Sequence, residues 1–336
     1  ISWTALNQFS CTRMKAVQVV ARGRAKFVDA PAPKLLPGHA LVRTRKLSLC
    51  GSDIRMLHFA PENAYPFPPG TTGHEMVGVI EAIDSPGCGL RIGDTALTLA
   101  PNHQAMAEYY VAPLEHVIPL PSHLPVEQLL QAKQFGTVLF ASQRLPNVQG
   151  KTVAVICQGA ACVFFIFHLR LVGADRIVAL DIDDFRLRLS KQFGATHTID
   201  NSAVEPGDAI RQLNGGELAD VVIEVAGEVS AINLAIDLVR HGGDILFFGY
   251  PRGQTIPFDF ETMFHKCCHT HTIVGATVEP NQASTHKALD IIASGQIDVK
   301  PLITHRLPFA DVMDAYELHR TRGDNCVKIV IEMPEG

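Results

Sequence analysis

Two short pieces of the chain, "LCGSDIR" at 49–55 and "TTGHEMVG" at 71–78, hold residues able to do chemistry together. Cys50 and His74 offer a thiolate and an imidazole, donors that suit Zn2+. Glu75 adds a carboxylate beside the histidine. The Ser52 hydroxyl, two residues after Cys50, offers a way out for the proton of a bound alcohol. Asp53 offers a carboxylate to orient an imidazole from behind. Cys50 and His74 lie 24 residues apart, and taken alone they read first as a buried thiol and a hydrogen-bonded histidine.

A second piece, "VAVICQGAACVFFIF" at 153–167, is an apolar run, a turn and another apolar run. That is the pattern of a strand feeding a helix through a nucleotide-binding loop. The G-x-G-x-x-G spacing of such loops falls here on Cys157, Gly159 and Cys162, so the middle glycine alone is present. Gly159 would let backbone approach a pyrophosphate at a helix N-terminus. Asp181 stands 22 residues beyond Gly159, at the end of the next apolar run. An acid there can bond both ribose hydroxyls of NAD and repels a 2′-phosphate. Cysteine is small and behaves as an apolar residue, so it is among the milder replacements for glycine. The rival reading of Cys157 and Cys162 is a disulfide or metal pair.

The elements that must position these residues change character along the chain. Residues 14–120 read as short β segments, "KAVQVV", "HALVRTRKLSL", "MVGVIEAI" and "EYYVAP", broken by Pro- and Gly-bearing pieces. From Pro125, "PVEQLLQAKQFGTVLFASQRL" takes helical spacing. Strands and helices then alternate. "TVAVI" leads to a helix through Leu171, "RIVALD" to one through Phe193, and "HTID" follows; "DVVIEVAG" leads to a helix through Arg240, and "GDILFFGY" comes next. Alternation of this kind predicts a parallel sheet wound on both faces. The tail carries helices around "STHKALDIIASG" and "FADVMDAYELHR" and ends on the β-type "CVKIVIEM".

Composition fits a globular protein with a large core: 336 residues, 47% hydrophobic and 19% charged. A net charge of −5 argues against a nucleic-acid surface, and no apolar run is long enough to span a bilayer. The eight cysteines are scattered rather than set in a framework, which fits free thiols in a reducing, cytoplasmic setting. Residues 1–13 lack the pattern of a secretory signal and precede Met14 as a loose extension.

From Met14 onward the chain resembles the zinc-dependent medium-chain alcohol dehydrogenases, nearest in style to the sorbitol and threonine dehydrogenase branch. The resemblance is carried by "CGSD", "GHEMVGVI", "RIGD", the loop followed by Asp181, "DVVIEVAG" and "KPLITHRLPFADVMDAYEL". It implies an α/β protein: a GroES-like β-rich catalytic domain from residues 1–136 and 276–336, and a doubly wound Rossmann coenzyme domain from 137–275. It implies that Cys50 and His74 hold a catalytic zinc, with Glu75 a ligand or close behind one, and that Ser52 starts a proton relay. Asp181 and Arg186 would grip the adenosine ribose. Gln158, Gly159, Ala160, Ala161, Phe248, Gly249, Tyr250, Gly275 and Ala276 would line the coenzyme. By the same resemblance the chain forms a homodimer or homotetramer through strands near 270–278.

The chain departs from the family in three places. It has no four-cysteine lobe after Gly93-Asp94, so no structural zinc is expected beside the catalytic one. The family's third catalytic ligand, a Cys or Glu, falls in "AKQFGTVLFA", where Lys133 or Gln134 stands. An ammonium has no lone pair and an amide oxygen is a weak zinc ligand. Glu75 then completes the site with water, or zinc is weakly held, or it is absent. The third departure is the pair of loop cysteines.

The expected function is oxidation of a secondary alcohol or polyol with NAD, zinc acting as Lewis acid. The alternatives are a zinc-free reductase of enones or quinones, and a non-catalytic protein on the same fold. "HKCCHTH" at 265–271 reads as a sheet connection with structural or surface histidines, although Cys267, His269 and His271 could share one face. His58 reads either as a substrate-cleft residue or as a loop residue.

Overall fold

The computed structural model describes residues 12–85 and 87–334, so most of the extension expected over residues 1–13 lies outside the described residues. Two compact units emerge. One is the contiguous stretch Gln134–Val278; the other joins residues up to Lys133 with those from Glu279 onward.

In the discontinuous unit, a seven-stranded sheet is found among the described residues. Its centre is the strand His39–Ser48, which pairs antiparallel with Glu75–Ile83, Tyr109–Pro113 and Lys328–Glu332. Glu75–Ile83 continues to Thr95–Leu99 and Val117–Pro119, and Ile303–Pro308 runs parallel to Lys328–Glu332 at the other side. A hairpin, Arg13–Ala21 with Arg24–Pro31, forms a two-stranded sheet of its own and buries Val17 and Val19 in the same core. The core is built mainly of branched aliphatic residues: Val42, Leu47, Leu49, Ile80, Ile329 and Ile331 are all buried, with Met76 among them. Close strand approach explains Gly78, where an added Cβ would stand 2.4 Å from the Arg43 carbonyl oxygen.

In the contiguous unit, six parallel strands are ordered, by their place in this sheet, 3-2-1-4-5-6. The first strand, Thr152–Ile156, pairs with both Arg176–Asp181 and Ala219–Glu224, so the order reverses beside it. Ligands of open α/β sheets bind at such a reversal, at the carboxyl ends of the strands. The helix Ala160–Leu171 that follows has buried residues on nearly every side, as a helix does when it is packed all round. The next helix, Asp184–Phe193, has its ends defined locally. The Asp183 side chain accepts the amides of Phe185 and Arg186, a cap worth about 1 kcal/mol, and Gly194 closes it at φ 115°.

Two elements differ from their sequence readings. The helix expected to run through Arg240 ends at Leu238, and Arg240 belongs to the strand Val239–Phe247. Its guanidinium meets Asp220 Oδ1 at 2.8 Å, a partner the helical pattern does not reveal. The last strand of this sheet is His269–Thr272, so the end of the histidine run read as a sheet connection is itself a strand, paired with Asp244–Phe247. Among the described residues no helix is long and apolar enough to cross a membrane.

Candidate active site

In the discontinuous unit, Cys50 sits between the strand His39–Ser48 and the short helix Gly51–His58. Its amide donates to Asp53 Oδ2 at 2.8 Å, which fixes the first turn of that helix. His74 and Glu75 enter from the start of the strand Glu75–Ile83. The glycine before them is forced, since a Cβ on Gly73 would stand 2.3 Å from the Met106 amide nitrogen. One ligand atom each from Cys50, His74 and Glu75 lies within 4.8 Å of the others, so the structure brings together the three expected metal ligands.

Around these donors the polar groups are ordered in a consistent way. Asp53 Oδ1 lies 3.2 Å from His74 Nδ1, which leaves Nε2 as the free lone pair; Ser52 Oγ is 3.5 Å from Nε2. A carboxylate behind a histidine is the usual way to fix a metal-binding tautomer. Glu75 is fully buried. Its Oε2 accepts from the Ser48 hydroxyl at 2.6 Å and from Lys328 Nζ at 2.7 Å. Its Oε1 is buried and takes no hydrogen bond among the described residues. A buried unpartnered carboxylate oxygen beside a thiol and an oriented imidazole fits a metal ion.

Electrostatics follow from this crowding. Burial opposes ionisation of Glu75, yet Lys328, Lys133 and His74 outweigh it and bring its pKa to about 2. Burial and the Glu75 charge push the Cys50 thiol up; the hydrogen bond and charge of His74, with Lys328, more than offset them, so the thiol ionises below its ordinary value. Burial drives Asp53 the other way, well above the usual carboxylate range.

Three participants escaped the sequence reading. Lys328 and Ser48 hold Glu75, and His103 lies with its ring 4.4 Å from that of His74. Asp53, His74 and His103 form a second group with ligand atoms within 4.8 Å. His103 sits in a short loop at φ 57°, and its carbonyl accepts the Thr72 and Gly73 amides. Burial, His74 and Lys133 lower its imidazole to about 3, so it stays neutral in any ordinary buffer. One signal was available for Lys328: a lysine inside the apolar run "CVKIVIE" demands a buried acid. His58, by contrast, lines a small cavity with Gly23, Leu57, Met313, Tyr316 and Glu317.

In the contiguous unit, the expected coenzyme residues gather at the carboxyl ends of the strands. Cys157 follows the first strand at φ 77°, the left-handed region that explains why a glycine is expected there. Gly159 caps the helix Ala160–Leu171, with Ala160 and Ala161 in its buried first turn. The Gln158 amide donates to Asp181 Oδ2 at 2.6 Å, and Asp181 Oδ1 accepts the Ile182 and Asp183 amides. Asp181 therefore pins the loop from below, with acceptor capacity to spare. The Gln158 side chain is buried, bonded to the Val155 carbonyl and the Ser190 hydroxyl. Arg186 lies over Gly159, its Nη1 3.8 Å from where a Cβ would be.

On the other side of the reversal, the amides of Phe248 and Gly249 donate to the Glu224 carbonyl. An added Cβ on Gly249 would stand 2.1 Å from the Gly227 amide nitrogen. Tyr250 is half exposed, Gly275 has φ 55° and Ala276 is buried. Glu224 Oε1 accepts the Ala226 and Gly227 amides, each at 2.7 Å, while Oε2 is buried without a partner among the described residues. Burial, opposed by those amides and aided by Cys157 and Glu228, raises Glu224 to about 7.

Cys157 and Cys162 form no disulfide and lie within hydrogen-bond reach of each other. Neither they nor Cys267, His269 and His271 belong to a metal-type group among the described residues. His269 and His271 instead face Asp244 Oδ1 at 3.8 and 3.4 Å.

Known proteins match these features in both units. A family model described as alcohol dehydrogenase GroES-like domain matches residues 36–122, and one described as zinc-binding dehydrogenase matches residues 163–294. An alcohol dehydrogenase of Cupriavidus necator is 27% identical, over 95% of this chain and 98% of its own. An L-threonine 3-dehydrogenase of Aeromonas hydrophila is 27% identical, over 88% and 92%. Among solved structures, the alcohol dehydrogenase TADH from Thermus sp. ATN1 superposes with a TM-score of 0.79 at 24% identity, covering 96% of this chain and all of that one. L-idonate 5-dehydrogenase from Escherichia coli gives 0.80 at 19%, covering 95% and 98%. At these identities the structural likeness speaks for the fold.

Proposed function

For a chain that belongs to the zinc-dependent medium-chain alcohol dehydrogenase family, we propose an NAD-linked oxidoreductase that acts on a secondary alcohol or polyol. The observation that carries this reading is the convergence of Cys50 Sγ, His74 Nε2 and the unpartnered Glu75 Oε1, with the Ser52 hydroxyl beside them. Zinc held by these three would supply Lewis-acid polarisation of the alcohol oxygen, and the nicotinamide would accept the hydride. Asp53 holds His74 in the tautomer that presents Nε2. Ser48 and Lys328 hold Glu75 ionised and aimed. Ser52 Oγ takes the proton that leaves the substrate hydroxyl and hands it on towards solvent.

NAD is preferred over NADP because Asp181 places a carboxylate at the end of the second strand, where a 2′-phosphate would be repelled. Threonine is the substrate in the name of one similar protein, and its 3-hydroxyl is a secondary alcohol, which supports that substrate class here. A homodimer or homotetramer is supported by the edge strand His269–Thr272, whose outer side meets no other strand among the described residues, with Val274 and Val278 exposed nearby.

Fluorescence titration with NADH, NADPH as comparison, followed by a panel of secondary alcohols on zinc-supplemented protein, tests the reading. NADH-preferring binding and alcohol-dependent NADH formation are expected. No binding of either coenzyme at millimolar concentration would sink it.

A further inference from the structure

Ammonium groups claim the Glu75 carboxylate from two sides. Lys328 Nζ takes Oε2 at 2.7 Å, with both side chains buried. Lys133 Nζ stands 3.9 Å from Oε1, the same oxygen that lies 3.7 Å from His74 Nε2. Oε1 is therefore the oxygen that remains for an ion, and a second cation already faces it. Lys133 is itself buried, at 8% exposure, near the start of the helix Ala132–Ser142. Its ammonium can donate hydrogen bonds and bring positive charge, but it has no lone pair to give a metal.

The charge count sets the consequence. The donor set offers a metal two negative charges, the Glu75 carboxylate and the Cys50 sulfur as thiolate, and the ammonium groups of Lys328 and Lys133 already match both before any dication enters. Like charges held close in a poorly solvated pocket repel far more strongly than in water. We propose that Lys133 is a resident counter-cation of Glu75 that competes with the metal for Oε1, so that this chain holds zinc weakly and exchangeably. The proposal rests on the reading of Cys50, His74 and Glu75 as a metal set. Lys328 does not share this role, because it engages Oε2 and leaves Oε1 free.

The test is zinc affinity of the full chain, independent of turnover. Protein stripped with a chelator is titrated with zinc against a chromophoric competitor, and zinc per chain is measured after dialysis. Lys133→Met keeps the reach and removes the charge, and Lys133→Gln serves if the first variant melts early. The charge-neutral variants are expected to bind zinc at least about tenfold more tightly than the wild type. They should also keep it through dialysis where the wild type loses it. Adding Cys50→Ser to either variant should abolish the gain, which places the zinc at this site. A wild type that keeps stoichiometric zinc and matches the variants in affinity overturns the proposal while leaving the metal reading intact. Zinc binding in no variant above the Cys50→Ser background overturns both.

Discussion

Lys328 Nζ donates to Glu75 Oε2 across 253 residues of sequence, and neither side chain reaches solvent. Removing one member of such a pair strands the other charge. Lys328→Met should therefore lower the unfolding free energy by about 3–5 kcal/mol, read by urea denaturation. The double variant Glu75→Gln/Lys328→Met should lose clearly less than Lys328→Met alone. If the single variant costs under about 1 kcal/mol, the pair does not hold this part of the structure.

Ser52 offers a hydroxyl 3.5 Å from His74 Nε2. Under the proposed function, Ser52→Ala should cut kcat by about 10²–10⁴-fold, the range for loss of a positioned proton carrier. Coenzyme affinity and zinc content should stay as in the wild type. A variant with undiminished turnover would remove Ser52 from the proton path.

Cys157 adopts φ 77°, a conformation that costs a residue with a Cβ about 1–2 kcal/mol. Glycine relieves that strain but gains freedom in the unfolded chain, about 0.5–1 kcal/mol against it. Cys157→Gly should thus be neutral to slightly stabilising in thermal melts. It should also bind NADH more tightly in a fluorescence titration, because the side chain leaves the loop. Weaker binding by the glycine variant would mean that the thiol contributes to the coenzyme site.

Glu224 has its pKa raised from 4.5 to about 7 by burial. The fold therefore favours the protonated form. The stability this contributes is fully present below pH 4.5 and is lost as pH rises through about 7. The loss should total about 3 kcal/mol, at 1.36 kcal/mol per unit. Unfolding free energies of the coenzyme-free protein at several pH values should show this slope. Glu224→Gln, which keeps the acceptor for the Ala226 and Gly227 amides, should flatten it. An unchanged slope in that variant would assign the pH dependence to other groups.

The strand–helix alternation from Thr152 to Phe247 was legible because parallel strands buried on both faces read as unbroken apolar runs. Arg240 misled for a local reason: nothing in "DLVRHGGD" marks where helix gives way to strand, and the helix passes directly into Val239. Cys50, His74 and Glu75 were legible through their chemistry, each carrying a donor at the edge of an element. Their supporting partners were not. Ser48 is 27 residues from Glu75 and Lys328 is 253 away, and it takes the antiparallel pairings of Leu47 with Met76 and of Ser48 with Val330 to bring these segments together. His103 depends on a positive-φ turn of an irregular loop, a geometry that side-chain periodicity does not encode. Lys133 was visible as a misfit in type, while its approach to Oε1 needed coordinates.

The discontinuous unit has a consequence for how the protein is made. A ribosome delivers residues up to Lys133, then the whole contiguous unit Gln134–Val278, and only afterwards the segment from Glu279. Units that are continuous in the chain can close as soon as they emerge, within seconds to tens of seconds at ordinary synthesis rates. The nascent amino-terminal strands cannot. Until Lys328–Glu332 docks, the Lys46–Ser48 end of the strand His39–Ser48 keeps an open edge, and the hydroxyl of Thr72 waits for that of Tyr316. The strands before Lys133 thus reach their final form only after residues beyond the contiguous unit have been made, and during that interval their open edge is accessible to other chains and to chaperones.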